Sequence, residues 1–152
     1  MTTIGEIMSE RLETIDESDT AQHAAKKLRN SNVSSLLVVD GEGKHVGIVT
    51  ERDLVRRVCA KDVSSSKVII QEMMSTPVIT VDSSSLLQVA ASKMIQNKVR
   101  HLLIVGQNGA EGIISTRNFT NYLKQKVDMD EVNGAIIQSL LHENEEEGMR
   151  LS

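Results

Sequence analysis

Two short motifs contain the side chains that could do chemistry. One is GIVTERDL at residues 47–54, and the other is GIISTRNF at residues 112–119. In each motif a glycine and two aliphatic residues precede a hydroxyl side chain, and a short carbonyl side chain follows three positions later. The paired side chains are those of Thr50 and Asp53 in the first motif and those of Ser115 and Asn118 in the second.

The Thr50–Asp53 pair has two interpretations, and both require a helix to begin at this point. In a capping box, each side chain bonds the backbone amide of the other residue. In a ligand site, the unpaired N–H groups and partial positive charge of the helix start attract phosphate, while the carboxylate accepts hydrogen bonds from the vicinal hydroxyls of a ribose. The residues alone leave both open. Ser115 and Asn118 make a weaker, uncharged version of the pair.

An internal duplication must position these motifs. A shift of 66 positions aligns IGEIMS, residues 4–9, with IQEMMS, residues 70–75, and a shift of 65 then brings the two glycine motifs into register. Roughly 55 residues repeat in each half. Self-similarity over such a length indicates two copies of one supersecondary unit.

The elements of each unit follow from side-chain periodicity. A helical stripe begins at Ala21, for which Ser18 or Asp19 is the expected N-cap. Two β-branched runs around a turn, in SSLLVVDGEGKHVGIVT and RHLLIVGQNGAEGIIS, predict a hairpin, and short strands are expected at ETID and VITV. The stripe consists of Ala21, Ala24, Ala25 and Leu28 in the first copy and of Leu87, Ala90, Ala91 and Met94 in the second.

These elements predict an α/β (α+β) fold made of two β-α-β-β-α repeats. The hairpin strands are apolar on nearly every residue, so both faces of each sheet should be covered, and the repeats should pack sheet to sheet. The expected divisions are a first repeat over residues 4–59, a linker over 60–68, a second repeat over 69–125, and a C-terminal helix with an acidic tail over 126–152.

The composition is typical of a globular protein and argues against a nucleic-acid partner. Hydrophobic residues make up 39% and charged residues 25% of the chain. Phe119 and Tyr122 are the only Phe, Tyr or Trp side chains, which leaves few rings on which bases could stack. The 127 residues before Asp128 carry 16 basic and 14 acidic groups, and seven acidic residues and one basic residue follow. No DNA-scale positive field results.

The sequence predicts neither a membrane span nor a disulfide. No run of 18 apolar residues occurs, and the N-terminal residues lack an apolar signal-peptide core. Cys59 is the single cysteine, which favours a reducing compartment. We therefore expect a cytoplasmic protein.

The paired units resemble a tandem CBS-domain (cystathionine-β-synthase domain) protein. GIVTERD matches the family pattern of glycine, two aliphatic residues, Thr or Ser, two residues and Asp, and VRHLLIV is similar to its RHLPVV strand. The resemblance covers residues 4 to about 125. It implies a domain pair with pseudo-two-fold symmetry, a homodimer, and a regulatory function. In that function AMP, ADP, ATP or S-adenosylmethionine binds between the repeats and signals to an effector protein that the sequence does not identify.

The resemblance places a first ligand site in the cleft between the repeats. It implies Asp53 at the ribose, Thr50 at the phosphate, and Arg100 paired with phosphate oxygens, where a charged guanidinium bonds strongly. The other residues of this first site are Met74, Ile79 and Val99 around the base, together with Ser34.

The resemblance also implies a second, weaker site. Asn118 stands where the pattern has Asp, and Glu13 brings a carboxylate where an apolar neighbour is usual. An amide bonds ribose hydroxyls more weakly than a carboxylate does, so the Asp53 site should bind better. The residues of this second site are Asn118, Ser115 and His101, with Met8, Glu13 and Val33 opposite.

The remaining candidates have structural as well as functional explanations. His101 is either a structural imidazole or a group that contacts phosphate or senses pH. Arg52, Arg56 and Arg57 form either a solvated face or a contact for phosphate or an acidic partner. The histidines lack metal-ligand spacing, and no nucleophile, base and orienting group occur together, so we expect no metal, no cofactor and no catalysis. The alternative to a sensor is a ligand-free scaffold or oligomerisation module.

Overall fold

Two three-stranded sheets form the centre of the protein, one from each repeat. The computed structural model describes residues 2–127 and 140–143. The strands are β1 (Thr14–Asp16), β2 (Ser35–Val39), β3 (His45–Thr50), β4 (Thr80–Asp82), β5 (His101–Gly106) and β6 (Gly109–Ser115). β1 runs parallel to β2, which pairs antiparallel with β3, and β4, β5 and β6 repeat this arrangement.

Helices complete the predicted β-α-β-β-α order in both repeats. The helices are α1 (Ile4–Ile7), α2 (Ala21–Ser31), α3 (Glu51–Leu54), α4 (Ile70–Met73), α5 (Leu87–Asn97) and α6 (Thr116–Val127). α3 continues directly into a π-helical turn at Val55–Cys59. The fold prediction is confirmed, and the short helices α1 and α4 are additions that it did not contain.

The N-cap of α2 is Thr20, so the expectation of Ser18 or Asp19 was wrong. The Thr20 side chain accepts a hydrogen bond from the backbone N–H of His23 at 3.2 Å. The Ser18 hydroxyl is not available because it bonds Asp16 Oδ1 in a tight turn at 2.6 Å. Asp19 instead accepts from the backbone N–H of Thr20 at 2.9 Å. Local turns that compete for the same polar groups therefore set the helix start.

The central strands β2 and β5 are buried on both faces, as their apolar runs predict. Leu36 and Leu37 are fully buried although their side chains point to opposite faces of β2. Between the sheets, Leu37 packs in one cluster with Leu103 and Ile113 of the other repeat. The two repeats therefore pack sheet to sheet, as expected.

The two repeats exchange their opening helices. Ile4 of α1 lies fully buried in the core of the second repeat with Val81 and Leu102. Ile70 of α4 is equally buried in the core of the first repeat, beside Leu36. The core of each repeat is thus completed by the short helix with which the other repeat begins.

The segments outside the repeats are only partly described. Residues 60–68 contain a 3-10 helix at Ser65–Lys67, and Val68 accepts a backbone hydrogen bond from Ala21 of the first repeat. Residues 140–143 are helical. The rest of the predicted C-terminal helix and acidic tail, at residues 128–139 and 144–152, lies outside the described residues. No helix in the described part of the chain has the length and apolar character needed to cross a bilayer.

Gly47 lies on β3 and Gly112 lies on β6, the last strand of each sheet. The chain that leaves α4 passes beside β3 at Gly47, and the chain that leaves α1 passes beside β6 at Gly112. Ser75 exchanges backbone hydrogen bonds with Ile48 at 2.9 and 3.0 Å, and Ser9 does the same with Ile113. A Cβ atom on Gly112 would lie 2.5 Å from the Ser9 carbonyl oxygen, which is closer than carbon and oxygen can approach. The crossing therefore requires glycine.

This crossing predicts a position-specific cost for alanine. Gly112→Ala should destabilise the protein by about 1–3 kcal/mol, because the new methyl group meets backbone that cannot move away freely. Gly41→Ala is the matched control, since a Cβ there meets nothing within 4 Å. Urea denaturation measures both effects. Equal midpoints for the two variants would contradict the close crossing.

Candidate functional site

A cleft of about 810 Å³ lies between the two repeats, with walls from both. It brings together six of the seven residues predicted for the first site, which are Ser34, Thr50, Asp53, Ile79, Val99 and Arg100. Met74 is the exception and does not line the cleft. Its sulfur packs instead against the Gly47 backbone, 2.5 Å from where a Cβ would stand.

The residues predicted for the second site are divided by the structure. Ser115 and His101 line the same cleft as Asp53. The other four, which are Asn118, Met8, Glu13 and Val33, do not line it. Glu13 forms an ion pair with Arg11 at 3.2 Å, and Val33 packs against the core of the first repeat.

Thr50 and Asp53 form the complete capping box that their spacing predicts. The Asp53 N–H donates to Thr50 Oγ1 at 3.1 Å, and the Thr50 N–H donates to Asp53 Oδ2 at 3.0 Å. Asp53 is 8% exposed as a residue and still lines the cleft. The carboxylate is therefore both a helix cap and a wall of the cleft.

The second motif makes only half of this arrangement. Asn118 Oδ1 accepts hydrogen bonds from the backbone N–H and the hydroxyl of Ser115, at 2.7 and 2.9 Å. The Ser115 hydroxyl thus donates to the side chain and does not cap the helix backbone. The amide also brings no negative charge, so the two motifs differ in chemistry as well as in position.

Ser75 and Arg57 also line the cleft and lie beside Asp53. The sequence analysis did not name Ser75, and it left Arg57 either on a solvated face or in contact with phosphate or an acidic partner. The Ser75 hydroxyl donates to Asp53 Oδ1 at 3.0 Å. Arg57 Nη1 donates to the carbonyl oxygens of Met73 and Met74 at 2.9 and 2.8 Å, and its Nε lies 3.9 Å from Asp53 Oδ1. The duplication could have pointed to Ser75, because the equivalent segments IGEIMS and IQEMMS both end in serine.

Basic side chains outnumber acidic ones in the cleft. No carboxylate of the described residues lies within 4.0 Å of Arg52, Arg56 or Arg100. Desolvation lowers the pKa of Arg52, and repulsion by Arg100 and Arg56 lowers it further, against an opposing effect of Asp53. The basic residues of the cleft are Arg52, Arg56, Arg57, Lys98, Arg100 and Arg117, and the acidic ones are Glu51 and Asp53. This excess of positive charge suits an anion with several charges.

His101 connects the two repeats within the cleft. Its Nε2 lies 3.0 Å from the Ser34 hydroxyl in a hydrogen bond between the two repeats. Burial lowers the pKa of His101, and Arg100 lowers it further, while Asp53 acts in the opposite direction. The neutral imidazole is therefore the form that the folded protein favours.

Comparison with known proteins identifies the family. The CBS-domain family model matches residues 4–60 and 70–125, which is most of the chain. The chain therefore belongs to the CBS-domain family and carries the domain twice. The predicted family and fold are confirmed.

The match to this chain covers different fractions of its relatives' lengths. The CBS domain-containing protein YhcV of Bacillus subtilis is 27% identical over 95% of this chain and 99% of its own length. A protein of Acidianus ambivalens is 31% identical over 80% of this chain and 73% of its own. A protein of Methanopyrus kandleri is 34% identical over 70% of this chain, and the match spans 54% of that protein, about half its length.

Two similar solved structures contain adenosine compounds. The CBS domain protein PAE2072 from Pyrobaculum aerophilum, complexed with AMP, is 26% identical with a TM-score of 0.68, over 77% of this chain and 89% of that one. The CBS domain pair of protein MJ0100, in complex with 5′-methylthioadenosine and S-adenosylmethionine, is 26% identical with a TM-score of 0.73. That match covers 83% of this chain and 98% of the other.

The His101 environment predicts a dependence of stability on pH. Because folding lowers the pKa of His101, the unfolded chain binds the proton more tightly, and protonation favours unfolding. The free energy of unfolding should therefore fall as the pH drops below the ordinary histidine pKa of about 6.5. His101→Gln removes this contribution and should show a smaller loss between about pH 8 and pH 5.

Urea denaturation of both proteins across this range measures the difference. The other histidines are shared by the two proteins, so their contributions cancel in the comparison. Parallel stability curves for the wild type and His101→Gln would contradict a lowered pKa at His101.

Proposed function

We propose that this chain is a regulatory module that binds an adenine nucleotide in the cleft between its repeats and signals to a partner protein. The observation that carries this proposal is the cleft itself, which is lined by the Asp53 carboxylate together with Arg52 and Arg100. Neither arginine lies within 4.0 Å of a carboxylate of the described residues. A carboxylate beside a cluster of cations suits a ligand with a diol at one end and phosphates at the other.

Each part of a nucleotide has a matching part of the cleft. Asp53 accepts from the ribose hydroxyls, and Thr50 and Arg100 bond the phosphates. Ile79 and Val99 offer apolar surface to the base. The complexes of similar CBS proteins with AMP and with S-adenosylmethionine support an adenosine ligand. We place one nucleotide per chain on the Asp53 side, because Asn118 does not line the cleft.

The charge of the cleft separates the candidate ligands. AMP, ADP and ATP carry increasing negative charge, whereas S-adenosylmethionine carries a sulfonium and an ammonium group against one carboxylate. Four more basic than acidic side chains line the cleft, so nucleotides with two or three phosphates should bind best and S-adenosylmethionine least well.

Binding transmits a signal because the cleft has one wall on each repeat. A nucleotide that contacts Asp53 on the first repeat and Arg100 on the second favours the arrangement of repeats that lets it touch both. Such a shift requires different affinities for the two arrangements. We propose that a homodimer presents this change to the effector. The apolar side chains of Val55, which is 60% exposed, and Ile95, which is 77% exposed, are candidates for burial in such an interface.

The second candidate function is a ligand-free scaffold, and one observation favours it. The Asp53 carboxylate already accepts hydrogen bonds from the Thr50 N–H and from the Ser75 hydroxyl, so it has a structural role even without a ligand. A scaffold requires only the paired sheets and exposed apolar side chains such as Val55 and Ile95. The two functions differ in whether anything binds the cleft.

Calorimetric titration with ADP and S-adenosylmethionine tests the nucleotide function. ADP should bind with an affinity that falls as salt is added, and S-adenosylmethionine should bind more weakly. Arg100→Gln should weaken ADP binding roughly tenfold through the loss of a charge-assisted contact. Arg29→Gln is the matched control, because Arg29 lies on α2 outside the cleft.

The same proteins in a thermal melt give an independent reading. A ligand at about a hundred times its dissociation constant stabilises by about 2.7 kcal/mol. Unshifted melting curves and absent heats with AMP, ADP and ATP would reject the sensor and leave the scaffold. Equal losses in Arg100→Gln and Arg29→Gln would reject the assignment of Arg100.

A further inference from the structure

Donors from three segments surround the Asp53 carboxylate. The Thr50 N–H, at the end of β3, bonds Oδ2 at 3.0 Å. The Ser75 hydroxyl, from the chain that enters the second repeat, bonds Oδ1 at 3.0 Å. Arg57, one helical turn after Asp53, places Nε 3.9 Å from the same Oδ1. The orientation of the carboxylate is therefore fixed at both oxygens.

Arg57 also fixes the segment that carries Ser75. Its Nη1 bonds the carbonyl oxygens of Met73 and Met74, at 2.9 and 2.8 Å. These two residues directly precede Ser75, whose backbone is in turn paired with Ile48. The Ser75 hydroxyl is thus held in place from two sides.

The carboxylate retains capacity for a ligand. An ionised carboxylate can accept about four hydrogen bonds, and the two described here use one on each oxygen. One acceptor position therefore stays open on each oxygen, which is the number that a vicinal diol needs. The capping bond is one restraint on the broad terminal torsion of the aspartate side chain, and the Ser75 bond is a second restraint on the same torsion.

The second repeat shows that the fold does not require this arrangement. Ser9 stands at the position equivalent to Ser75, but its hydroxyl accepts from the backbone N–H of Arg11 at 3.4 Å. Tyr122 stands at the position equivalent to Arg57 and bonds the Thr2 hydroxyl at 2.9 Å. Among the described residues, Ser115 alone donates hydrogen bonds to Asn118 Oδ1. Within the described part of the chain, this additional support surrounds Asp53 and not Asn118.

We propose that Ser75 and Arg57 are positioning residues that aim both oxygens of Asp53 at a ribose diol and so make the cleft selective for ribonucleotides over 2′-deoxyribonucleotides. This inference rests on the proposed nucleotide function. A site built to bond a hydroxyl discriminates strongly against a ligand that lacks it, because a polar group of the site then stays unpaired. When Ser75 is lost, fewer bonds hold the carboxylate, so its oxygens are aimed less accurately at the diol and the 2′-hydroxyl contributes less to binding.

The test is the ratio of the dissociation constants for 2′-deoxy-ADP and ADP, measured by calorimetry. The wild type should prefer ADP. Ser75→Ala should reduce that preference by roughly fivefold or more, which corresponds to the loss of one hydrogen bond to a charged group. Ser75→Thr, which keeps a hydroxyl, should restore most of it. Ser9→Ala is the matched control and should leave the ratio unchanged.

The possible outcomes distinguish failure of the positioning role from failure of the proposed nucleotide binding. An unchanged ratio in Ser75→Ala, or tighter ADP binding because Ser75 competes with the ribose, overturns the positioning role while nucleotide binding stands. A wild type that binds neither nucleotide overturns both. Should Ser75→Ala fail to fold in a thermal melt, Ser75→Cys provides the same measurement with a near-isosteric side chain and a weak donor.

Discussion

The exchange of helical turns between the two repeats is the constraint on which the rest of the structure depends. Neither three-stranded sheet can cover its apolar face without help, so Ile4 fills the core of the second repeat and Ile70 fills that of the first. The chain must therefore cross from one repeat to the other at two places. At one of them, the segment ending in Ser75 passes beside β3 and brings its hydroxyl to Asp53. The core packing and the site geometry thus share one cause.

The same packing brings together charges that repel one another. Arg52 belongs to the helix that follows the first motif, and Arg100 precedes the central strand of the second repeat. Their mutual repulsion contributes to the lowered pKa of Arg52, and no carboxylate of the described residues lies within 4.0 Å of either. The hydrophobic burial of the sheets holds these cations near each other at an electrostatic cost. An anionic ligand would offset that cost, which is a physical reason for the proposed nucleotide binding to be coupled to the arrangement of the repeats.

Local features could be predicted from the sequence, and features that join distant segments could not. The hairpins and the stripe of α2 follow from periodicity, and the spacing of Thr50 and Asp53 indicated the capping box as one of two interpretations. α1 and α4 are only four residues long, so they show no helical period, and their burial depends on the opposite repeat. The bond from Ser75 to Asp53 joins residues 22 positions apart. The family resemblance predicted residues on both sides of the cleft. Its prediction that Met74 lines the cleft was wrong, because Met74 packs on Gly47.

A crystal structure of the complete chain with ADP tests the central claim most directly. The account predicts that both ribose hydroxyls lie within about 3.2 Å of the two Asp53 oxygens, with the phosphates against Arg100 and Arg52 from opposite repeats. An ADP molecule bound elsewhere, with the cleft unoccupied at saturating nucleotide, would contradict the account.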